Sequence, residues 1–331
     1  MSRLFIHVGT HKTATTHVQD TFYQNRRVLR RHGIVFPRIG RTRGQHGLAS
    51  AWIRLPAPYG IKDARGAWRR LAKAYGPTDT TVFVSSEELS RLRPAKVDMA
   101  ELRALTDGFD EVRLICTLRN QASFLQSVYQ QISIERNPGP WPRFFENALE
   151  ATIVDGLALD YNVLHRQFRR GFDAREIRFL SYDKAVQDAG GIVGAVLREL
   201  DAPFGAEALA PFGAGRSNVS PSPLATFAAN AVAAPRVAGQ GLVRAMTESI
   251  DAVFGKERRT TVFSREELER CTERFRPLND TLQDSIASEQ PEFRMTSELD
   301  RGAQIFRGQL REDFWIEACR RLRADVPVQT L

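Results

Sequence analysis

The chain has 331 residues, of which 42% are hydrophobic and 26% are charged, an ordinary globular composition that suits one large α/β domain with or without a smaller appendage. The formal net charge is +8, with 41 Arg against 6 Lys, which favours anionic partners such as nucleic acid, phosphorylated cofactors or acidic glycans and also agrees with a biased genomic base composition. Three widely spaced cysteines without a CxxC motif argue against a disulfide scaffold or a structural zinc site and favour a reducing compartment.

The first two thirds of the chain alternate strand-like and helix-like segments. Short apolar or β-branched runs predict strands at residues 4–8, 34–36, 81–84, 112–117 and 177–180. Helical patterns cover residues 16–32, 121–134 and 191–200, and Arg26, Arg27, Arg30 and Arg31 have the spacing that is typical of a solvated helix face. This alternation predicts an α/β fold, a three-layer sandwich with a mostly parallel central sheet. Ligands of such folds bind at the carboxyl ends of the strands.

The last third has a different character. Residues 201–223 are rich in Pro, Gly and Ala and predict a long loop, after which almost every segment looks helical. Ser264 and Glu267 have the spacing of a capping box at a helix start. We therefore expect a ligand-binding core over residues 1–215 and a mainly helical C-terminal part, residues 216–331, packed on the same domain. With no signal peptide before the first strand and no apolar run of about 18 residues, we expect a cytoplasmic protein without a membrane span.

The segment between the first strand and the first helix predicts a phosphate-binding loop. Residues 9–16 read Gly-Thr-His-Lys-Thr-Ala-Thr-Thr, which combines a helix N-terminus with a lysine and several hydroxyls. It is not a Walker A motif, because only two residues separate Gly9 from Lys12. A loop this short suits a single 5′-phosphate better than a triphosphate. The alternative is a polar strand-to-helix turn with threonine caps.

This loop resembles the 5′-phosphosulfate loop of sulfotransferases that use 3′-phosphoadenosine-5′-phosphosulfate (PAPS), including bacterial sulfotransferase-like proteins. Members carry Pro/His-Lys-Ser/Thr-Gly/Ala-Thr-Thr/Ser directly after the first strand of a P-loop-like fold. The resemblance implies that Lys12 is catalytic and contacts the bridging oxygen of PAPS. It further implies that six residues bind the donor PAPS and its product PAP: His11, Lys12, Thr13, Ala14, Thr15 and Thr16. Ala14 stands where many members have Gly, so we expect helical backbone with negative φ there.

A second motif follows the strand at residues 112–117. Arg119 ends this strand region, and Ser127 follows eight residues later on the next helix. The family binds the 3′-phosphate with a strand-end Arg and a Ser at this spacing, so the resemblance implies the same for Arg119 and Ser127. Arginine offers a fork of charged donors to a phosphate. Either residue alone would be commonplace; their combination with the Lys12 loop is much less so.

Two weaker matches complete the resemblance, which extends over residues 4–225. Tyr182 follows the strand at 177–180 and corresponds to a family tyrosine near the adenine, although a core position with its hydroxyl at the sheet edge is an equal alternative. Arg216 and Asn218 resemble the basic or Asn-containing loop that closes over the nucleotide; as structure alone this would be a flexible loop before a helix. The helical C-terminal part matches no family that we can name.

Two residues are candidates for the base that takes the proton from the acceptor. Family members use His or Glu on loops near the acceptor. His46 is our first choice, because it lies in the Gly-rich segment 38–47 and an imidazole titrates near neutral pH. Glu87 is the second candidate, since it follows the strand at 81–84. The alternatives are a surface loop position for His46 and, for Glu87, a place in a helix start capped by Ser86.

The sequence therefore predicts transfer of the sulfuryl group of PAPS to a hydroxyl or amine of an acceptor, either a small molecule or a glycan, with a mild preference for a carbohydrate. No metal is required, and no metal-ligand cluster is visible in the sequence. A P-loop-type phosphotransferase or nucleotide kinase is the competing enzyme class, but it would need a Gly-Lys-Ser/Thr motif and a strand-end Asp. A non-enzymatic anion-binding protein is the third possibility. Basic and aromatic residues are not clustered, so we expect no nucleic-acid partner.

Overall fold

The computed structural model describes residues 1–212, 221–256, 258–296 and 304–324. Its central sheet contains five parallel strands in the order β2-β3-β1-β4-β7. These strands are β1 (Arg3–His7), β2 (Ile34–Val35), β3 (Thr81–Ser85), β4 (Glu111–Leu118) and β7 (Ile177–Ser181). The predicted α/β class with a mostly parallel central sheet is confirmed. Because all five strands are parallel, their carboxyl ends meet at one edge of the sheet.

The strands form because short apolar runs are buried on both faces. Leu4 and Ile6 of β1 belong to one hydrophobic cluster, and Phe5 belongs to a second cluster. Successive side chains of a strand point to opposite faces, so the two clusters lie on opposite sides of the sheet. Trp68 and Leu71 contribute to the first cluster and Val18 and Phe22 to the second, with helices thus covering both faces. This double burial explains why β1 is almost continuously apolar.

Thirteen α-helices and four further short strands occur in the described ranges. The short strands are β5 (Ile153–Val154), β6 (Leu157–Ala158), β8 (Arg259–Thr261) and β9 (Gln304–Phe306). The helices are α1 (Thr15–Gln24), α2 (Arg26–Arg31), α3 (Ala64–Tyr75), α4 (Met99–Leu105), α5 (Gln121–Glu135), α6 (Trp141–Ala151), α7 (Tyr161–Phe168), α8 (Tyr182–Ala185), α9 (Gly191–Glu199), α10 (Pro223–Ala233), α11 (Gln240–Phe254), α12 (Arg265–Ser285) and α13 (Glu312–Ala324). None of these helices is both long enough and apolar enough for a membrane span.

One local prediction fails and one is confirmed. The helix predicted over 16–32 is wrong as a continuous element, because Asn25 separates α1 from α2. Its side chain donates to the carbonyls of Thr21 (2.8 Å) and Ala210 (2.9 Å) and accepts from the Ala210 N–H (2.9 Å). Besides its helices, the C-terminal part contains a small parallel sheet formed by β8 and β9. The capping box is confirmed, with reciprocal hydrogen bonds of 2.7 and 3.1 Å between Ser264 and Glu267.

The chain forms two compact units. The first contains residues 1–120, 155–216 and 277–296 and carries the central sheet; the second contains 121–154, 217–276 and 297–331. The second unit has its own hydrophobic cluster, to which Leu224, Met246 and Phe314 contribute from α10, α11 and α13. The division into a core over 1–215 and a C-terminal part stays a prediction.

Candidate functional site

Four of the sequence-predicted site residues lie at the carboxyl edge of the sheet. Lys12 follows β1, Glu87 follows β3, Arg119 follows β4 and Tyr182 follows β7. In the strand order β3-β1-β4-β7, these residues come in the sequence Glu87, Lys12, Arg119, Tyr182 along the edge. The first unit thus brings them to the place where open parallel sheets bind their ligands.

The loop between β1 and α1 has an unusual backbone. Lys12 has φ 63° and Ala14 has φ 58° and ψ 27°, both in the left-handed region. The expectation of helical backbone at Ala14 is therefore wrong. Left-handed residues alternating with ordinary ones turn successive N–H groups into one concavity, which binds anions. For residues with a Cβ this conformation costs roughly 1–2 kcal/mol each, a strain that is typical of functional sites.

Hydrogen bonds to β4 and within the loop impose this conformation. The N–H and hydroxyl of Thr10 both donate to the carbonyl of Thr117, at 3.1 and 2.9 Å. The Thr13 hydroxyl donates to the carbonyl of Thr10 at 2.6 Å. Gly9 packs so closely on His7 that a Cβ there would come within 2.7 Å of its Nε2. The loop is thus fixed before any ligand binds.

Three buried polar atoms at this loop lack a partner in the described ranges, and His11 Nδ1 is one of them. Thr15 Oγ1, in the first turn of α1, and Arg119 Nε are buried and have no hydrogen-bond partner within the part of the chain that the structure describes. An unpaired buried polar atom is costly, so both atoms indicate a ligand with acceptor oxygens. Thr16 is exposed next to Thr15, where the helix dipole favours an anion. These residues fit a phosphate group.

Arg119 connects the loop to the end of β7. Its Nη1 donates to the carbonyl of Lys12 at 2.9 Å, and its guanidinium lies 4.9 Å from the centre of the Tyr182 ring. The Tyr161 hydroxyl donates to the carbonyl of Arg119 at 2.6 Å and fixes the backbone there. Burial lowers the pKa of Lys12, and the positive charge of Arg119 lowers it further. Lys12, Arg119 and Tyr182 therefore form one cationic corner with an aromatic face.

His11 contacts the segment after β3 with its Nε2. That atom lies 3.2 Å from Glu88 Oε1, and Arg91 Nε donates to Glu88 Oε2 at 2.8 Å. Burial opposes ionisation of Glu88, but the hydrogen bonds and charges of His11 and Arg91 prevail and lower its pKa to about 2. An ionised Glu88 therefore holds the His11 side chain. Binding of the donor by His11 stays a prediction.

The two candidate bases are neighbours. His46 Nδ1 lies 3.6 Å from Glu87 Oε2 and 3.2 Å from Ser86 Oγ, and the imidazole is buried. It reaches this place because Gln45 pairs with β3: its N–H donates to the carbonyl of Ser85 (2.9 Å), and its Oε1 accepts from the Ser85 N–H (2.8 Å). His46 is therefore not a surface loop residue. The imidazole and the carboxylate form one unit after β3.

Two further residues support this unit. Gln19 of α1 donates to Glu87 Oε2 at 3.0 Å and so connects the phosphate-loop helix to the candidate bases. His7 is fully buried below them, with Nδ1 2.9 Å from Ser85 Oγ and Nε2 3.3 Å from Thr117 Oγ1. Burial lowers the pKa of His7 to about 4, although the charge of Glu87 acts in the opposite direction. Sequence reasoning missed Gln19, because a glutamine in a helix offers no signal of such a role.

The remaining predicted residues are less well defined. Ser127 is half-buried on α5 of the second unit, and its pairing with Arg119 stays a prediction. Arg216 and Asn218 lie outside the described residues. Within the described ranges, no three His, Cys, Asp or Glu side chains are grouped as metal ligands would be.

Comparisons with known proteins give matches only among solved structures. No protein-family model and no curated protein matches the chain. A sulfotransferase from Alicyclobacillus acidocaldarius is similar over 85% of this chain and 94% of its own, with 13% identity and a TM-score of 0.47. The mouse sulfotransferase SULT7A1 complexed with PAP is similar over 88% of this chain and 89% of its own, with 12% identity and a TM-score of 0.41. TM-scores below 0.5 leave the activity to be inferred from the site itself.

Proposed function

We propose that this protein is a PAPS-dependent sulfotransferase that transfers the sulfuryl group to a hydroxyl or amine of an acceptor. The observation that carries the proposal is the strained Lys12–Ala14 loop beside two unpartnered buried atoms, Thr15 Oγ1 and Arg119 Nε. Strain and unpaired polar atoms are both unfavourable without a ligand, and the 5′ and 3′ phosphate groups of PAPS would offer acceptor oxygens to Thr15 and Arg119 respectively. The candidate bases His46 and Glu87 lie after the neighbouring strand β3, where the acceptor hydroxyl would approach.

PAPS, when bound, supplies an activated sulfuryl group joined to phosphate. The loop N–H groups and the hydroxyls of Thr15 and Thr16 would hold its 5′ side, with Thr13 bracing the loop through Thr10. The Lys12 ammonium neutralises negative charge that grows on the leaving phosphate, a contribution of about 3–4 kcal/mol in comparable sites. The 3′-phosphate and adenine would be bound by Arg119, Ser127 and Tyr182, with Arg216 and Asn218 assigned to the closing loop by the family resemblance.

His46 removes the acceptor's proton in this proposal. Its Nδ1 faces Glu87 Oε2 at 3.6 Å, so Nε2 is the atom left to accept the proton. The carboxylate of Glu87 stabilises the imidazolium that forms and orients the ring, while Gln19 holds the carboxylate. Glu87 is thus a positioning residue for His46, and it remains the second candidate for the base itself.

Calorimetry with PAP tests the proposal directly. Full-length protein in excess chelator should bind one PAP per chain and should bind ATP with magnesium weakly or not at all. Replacing Thr15 by Val removes a hydroxyl that would bond a charged group, so PAP affinity should fall about tenfold or more. Thr21→Val is the matched control, because Thr21 also carries a buried unpartnered hydroxyl on α1, away from the loop. Binding of ATP with magnesium but not of PAP would overturn the proposal.

A further inference from the structure

A cavity of about 720 Å³ lies beside the edge strand β2. Apolar side chains, including Val35, Phe36 and Ile61, form part of its lining. Guanidinium groups form much of the rest: Arg26, Arg27 and Arg30 from α2, Arg38 from the following loop, and Arg70 from α3. The volume is within the range of small-molecule sites, which are apolar with a few polar groups that fix the ligand.

Within the described ranges, carboxylates do not balance the positive charges of this arginine-lined cavity. Asp63 is the single carboxylate among its lining residues, and it pairs with Arg70 at 2.9 Å. Arg27, Arg30 and Arg38 make no ion pair with any residue that the structure describes. Arg26 lies 3.7 Å from the centre of the Tyr23 ring, and its Nη1 is buried without a hydrogen-bond partner in the described ranges. Such a concentration of unpaired positive charge favours an anionic ligand.

The wall of the cavity is continuous with the segment that carries His46. Pro37, a lining residue, accepts a 2.7 Å hydrogen bond from Gln45 Nε2, and Gln45 precedes His46. Ile61, another lining residue, packs so closely on Gly47 that a Cβ there would come within 2.7 Å of its Cγ2. The lining residues Pro37 and Ile61 therefore contact Gln45 and Gly47, the two residues that flank the candidate base His46.

The sheet order places the cavity on the acceptor side of the reaction. Lys12, Arg119 and Tyr182 follow β1, β4 and β7, and the candidate bases follow β3. Strand β2 lies beyond β3, on the side away from β1. The cavity beside β2 thus adjoins the bases on the side opposite to the proposed donor site.

We propose that the arginine-lined cavity binds the acidic part of the acceptor, a small saccharide that bears two or more carboxylate, sulfate or phosphate groups. The anion site stands on the geometry of the cavity alone, whereas its role for the acceptor rests on the proposed sulfotransferase activity. Guanidinium forks bind such groups with two parallel hydrogen bonds, and the apolar wall suits the faces of sugar rings. The volume of the cavity matches a ligand of drug size, which is smaller than a nucleic-acid duplex.

Two matched double variants test this proposal. Arg30→Gln with Arg38→Gln removes two lining charges, one from α2 and one from the following loop. Arg31→Gln with Arg41→Gln removes two exposed charges from the same helix and the same loop, and neither residue lines the cavity. Calorimetry is performed on the full chain with the disaccharide of chondroitin 4-sulfate, which carries one carboxylate and one sulfate. Lactose is the uncharged comparison, and a single-stranded oligonucleotide is the polymeric one.

Wild-type protein should bind the disaccharide and not lactose, and the Arg30/Arg38 variant should lose at least about tenfold in affinity. The Arg31/Arg41 variant should stay within about twofold of wild type, because neither residue lines the cavity. The proposal would be overturned if both variants lost the same affinity or if wild-type protein did not bind the disaccharide. It would also be overturned if wild-type protein bound the oligonucleotide more tightly than the disaccharide and the Arg30/Arg38 variant lost that affinity too. PAP titrations of the same proteins should all give the wild-type affinity. Disaccharide binding without any PAP binding would refute the sulfotransferase proposal and leave the anion site standing.

Discussion

The phosphate loop and the arginine-lined cavity offer positive charge in opposite ways. The loop at residues 9–16 uses backbone N–H groups, short hydroxyls and one lysine, and hydrogen bonds from Thr10 anchor its backbone to β4. The cavity uses five long guanidinium side chains from α2, α3 and a loop. A fixed site loses little entropy on binding and accepts one shape, whereas flexible arginines lose rotamer freedom and accept many shapes. A common donor group suits the first design, and an acceptor of varied shape suits the second.

The difference also determines how each region should respond to substitution. In the loop, a single hydroxyl or a single φ angle has no substitute nearby. In the cavity, several arginines would contact the same ligand, so the other arginines compensate in part for the binding energy lost with one of them. The following experiments would break or sharpen this comparison, and they are ordered by the size of the expected effect.

The largest effect is expected where the two regions meet, at His46. His46→Ala should lower turnover by about 10²–10⁴, the usual share of general-base catalysis, and leave PAP affinity unchanged. Glu87→Gln should lower it less, and the double variant should be no slower than His46→Ala, because the two groups act as one unit. Turnover is measured as PAP released from PAPS in the presence of the chondroitin 4-sulfate disaccharide.

The opposite ranking would reassign the base. If Glu87→Gln abolishes turnover and His46→Ala does not, Glu87 takes the proton and His46 merely positions it. Additive losses in the double variant would show that the two groups act independently in spite of their 3.6 Å separation.

Substitutions of Arg119 test the proposed nucleotide site beside the phosphate loop. Arg119→Ala should weaken PAP binding by about ten- to hundredfold, because a charged donor to the 3′-phosphate is lost. The affinity for AMP, which lacks the 3′-phosphate, should fall far less. Some loss of AMP affinity is expected, because Arg119 also donates a hydrogen bond of 2.9 Å to the Lys12 carbonyl. Both affinities are measured by calorimetry. Arg119→Lys, which keeps the charge and loses the fork, should fall between wild type and Arg119→Ala. Equal losses for PAP and AMP would make Arg119 a loop support only.

His7, which is buried below the loop, tests whether a buried neutral histidine makes the stability of the protein depend on pH. Its pKa is lowered from 6.5 to about 4, so the native state binds fewer protons than the unfolded state between these values. The contribution of His7 to the free energy of unfolding is therefore complete above pH 6.5 and is lost as the pH drops towards 4. The loss between pH 7 and pH 5 is about 2 kcal/mol. Urea unfolding of His7→Gln should lack this contribution. His32→Gln, which changes an exposed histidine, should keep it; identical pH profiles for His7→Gln and wild type would contradict the assignment.

The smallest effect is expected at Ala14. Because Ala14 has φ 58°, Ala14→Gly should relieve roughly 1–2 kcal/mol of strain, partly offset by greater chain entropy in the unfolded state. We expect the free energy of unfolding to rise by up to about 1 kcal/mol. Ala100→Gly, at an exposed position of α4, should lower it by about 1 kcal/mol. Chemical denaturation measures both; equal destabilisation would show that Ala14 is not strained.

Features that depend on neighbours in the chain were predictable. The strand at 4–8 is β1, Arg3–His7, and the strand at 81–84 is β3, Thr81–Ser85, because buried apolar runs are a local pattern. The capping box needs only Ser264 and the residue three positions later. The break at Asn25 was not predictable, because the partner of its side chain is Ala210, 185 positions away in the chain.

The candidate site shows the same division. The chemistry of the loop, a lysine among hydroxyls before a helix, was visible in the sequence. Its left-handed backbone at Ala14 was not, because local preference favours negative φ and the opposing constraint comes from Thr117 of β4. His46 and Glu87 were separate candidates in the sequence. Only pairing of Gln45 with Ser85 brings them together.

The sequence by itself determined which segments become the strands of the central sheet and which residues are candidates for phosphate binding and proton transfer, because these depend on residue type and short spacing. The tertiary structure decided which of these residues meet. Strand pairing is non-local, and the order β2-β3-β1-β4-β7 brings residues 12, 87, 119 and 182 to one sheet edge. It likewise turned a run of arginines on α2 into one wall of a cavity, because Arg38 and Arg70 reach the same place from other parts of the chain.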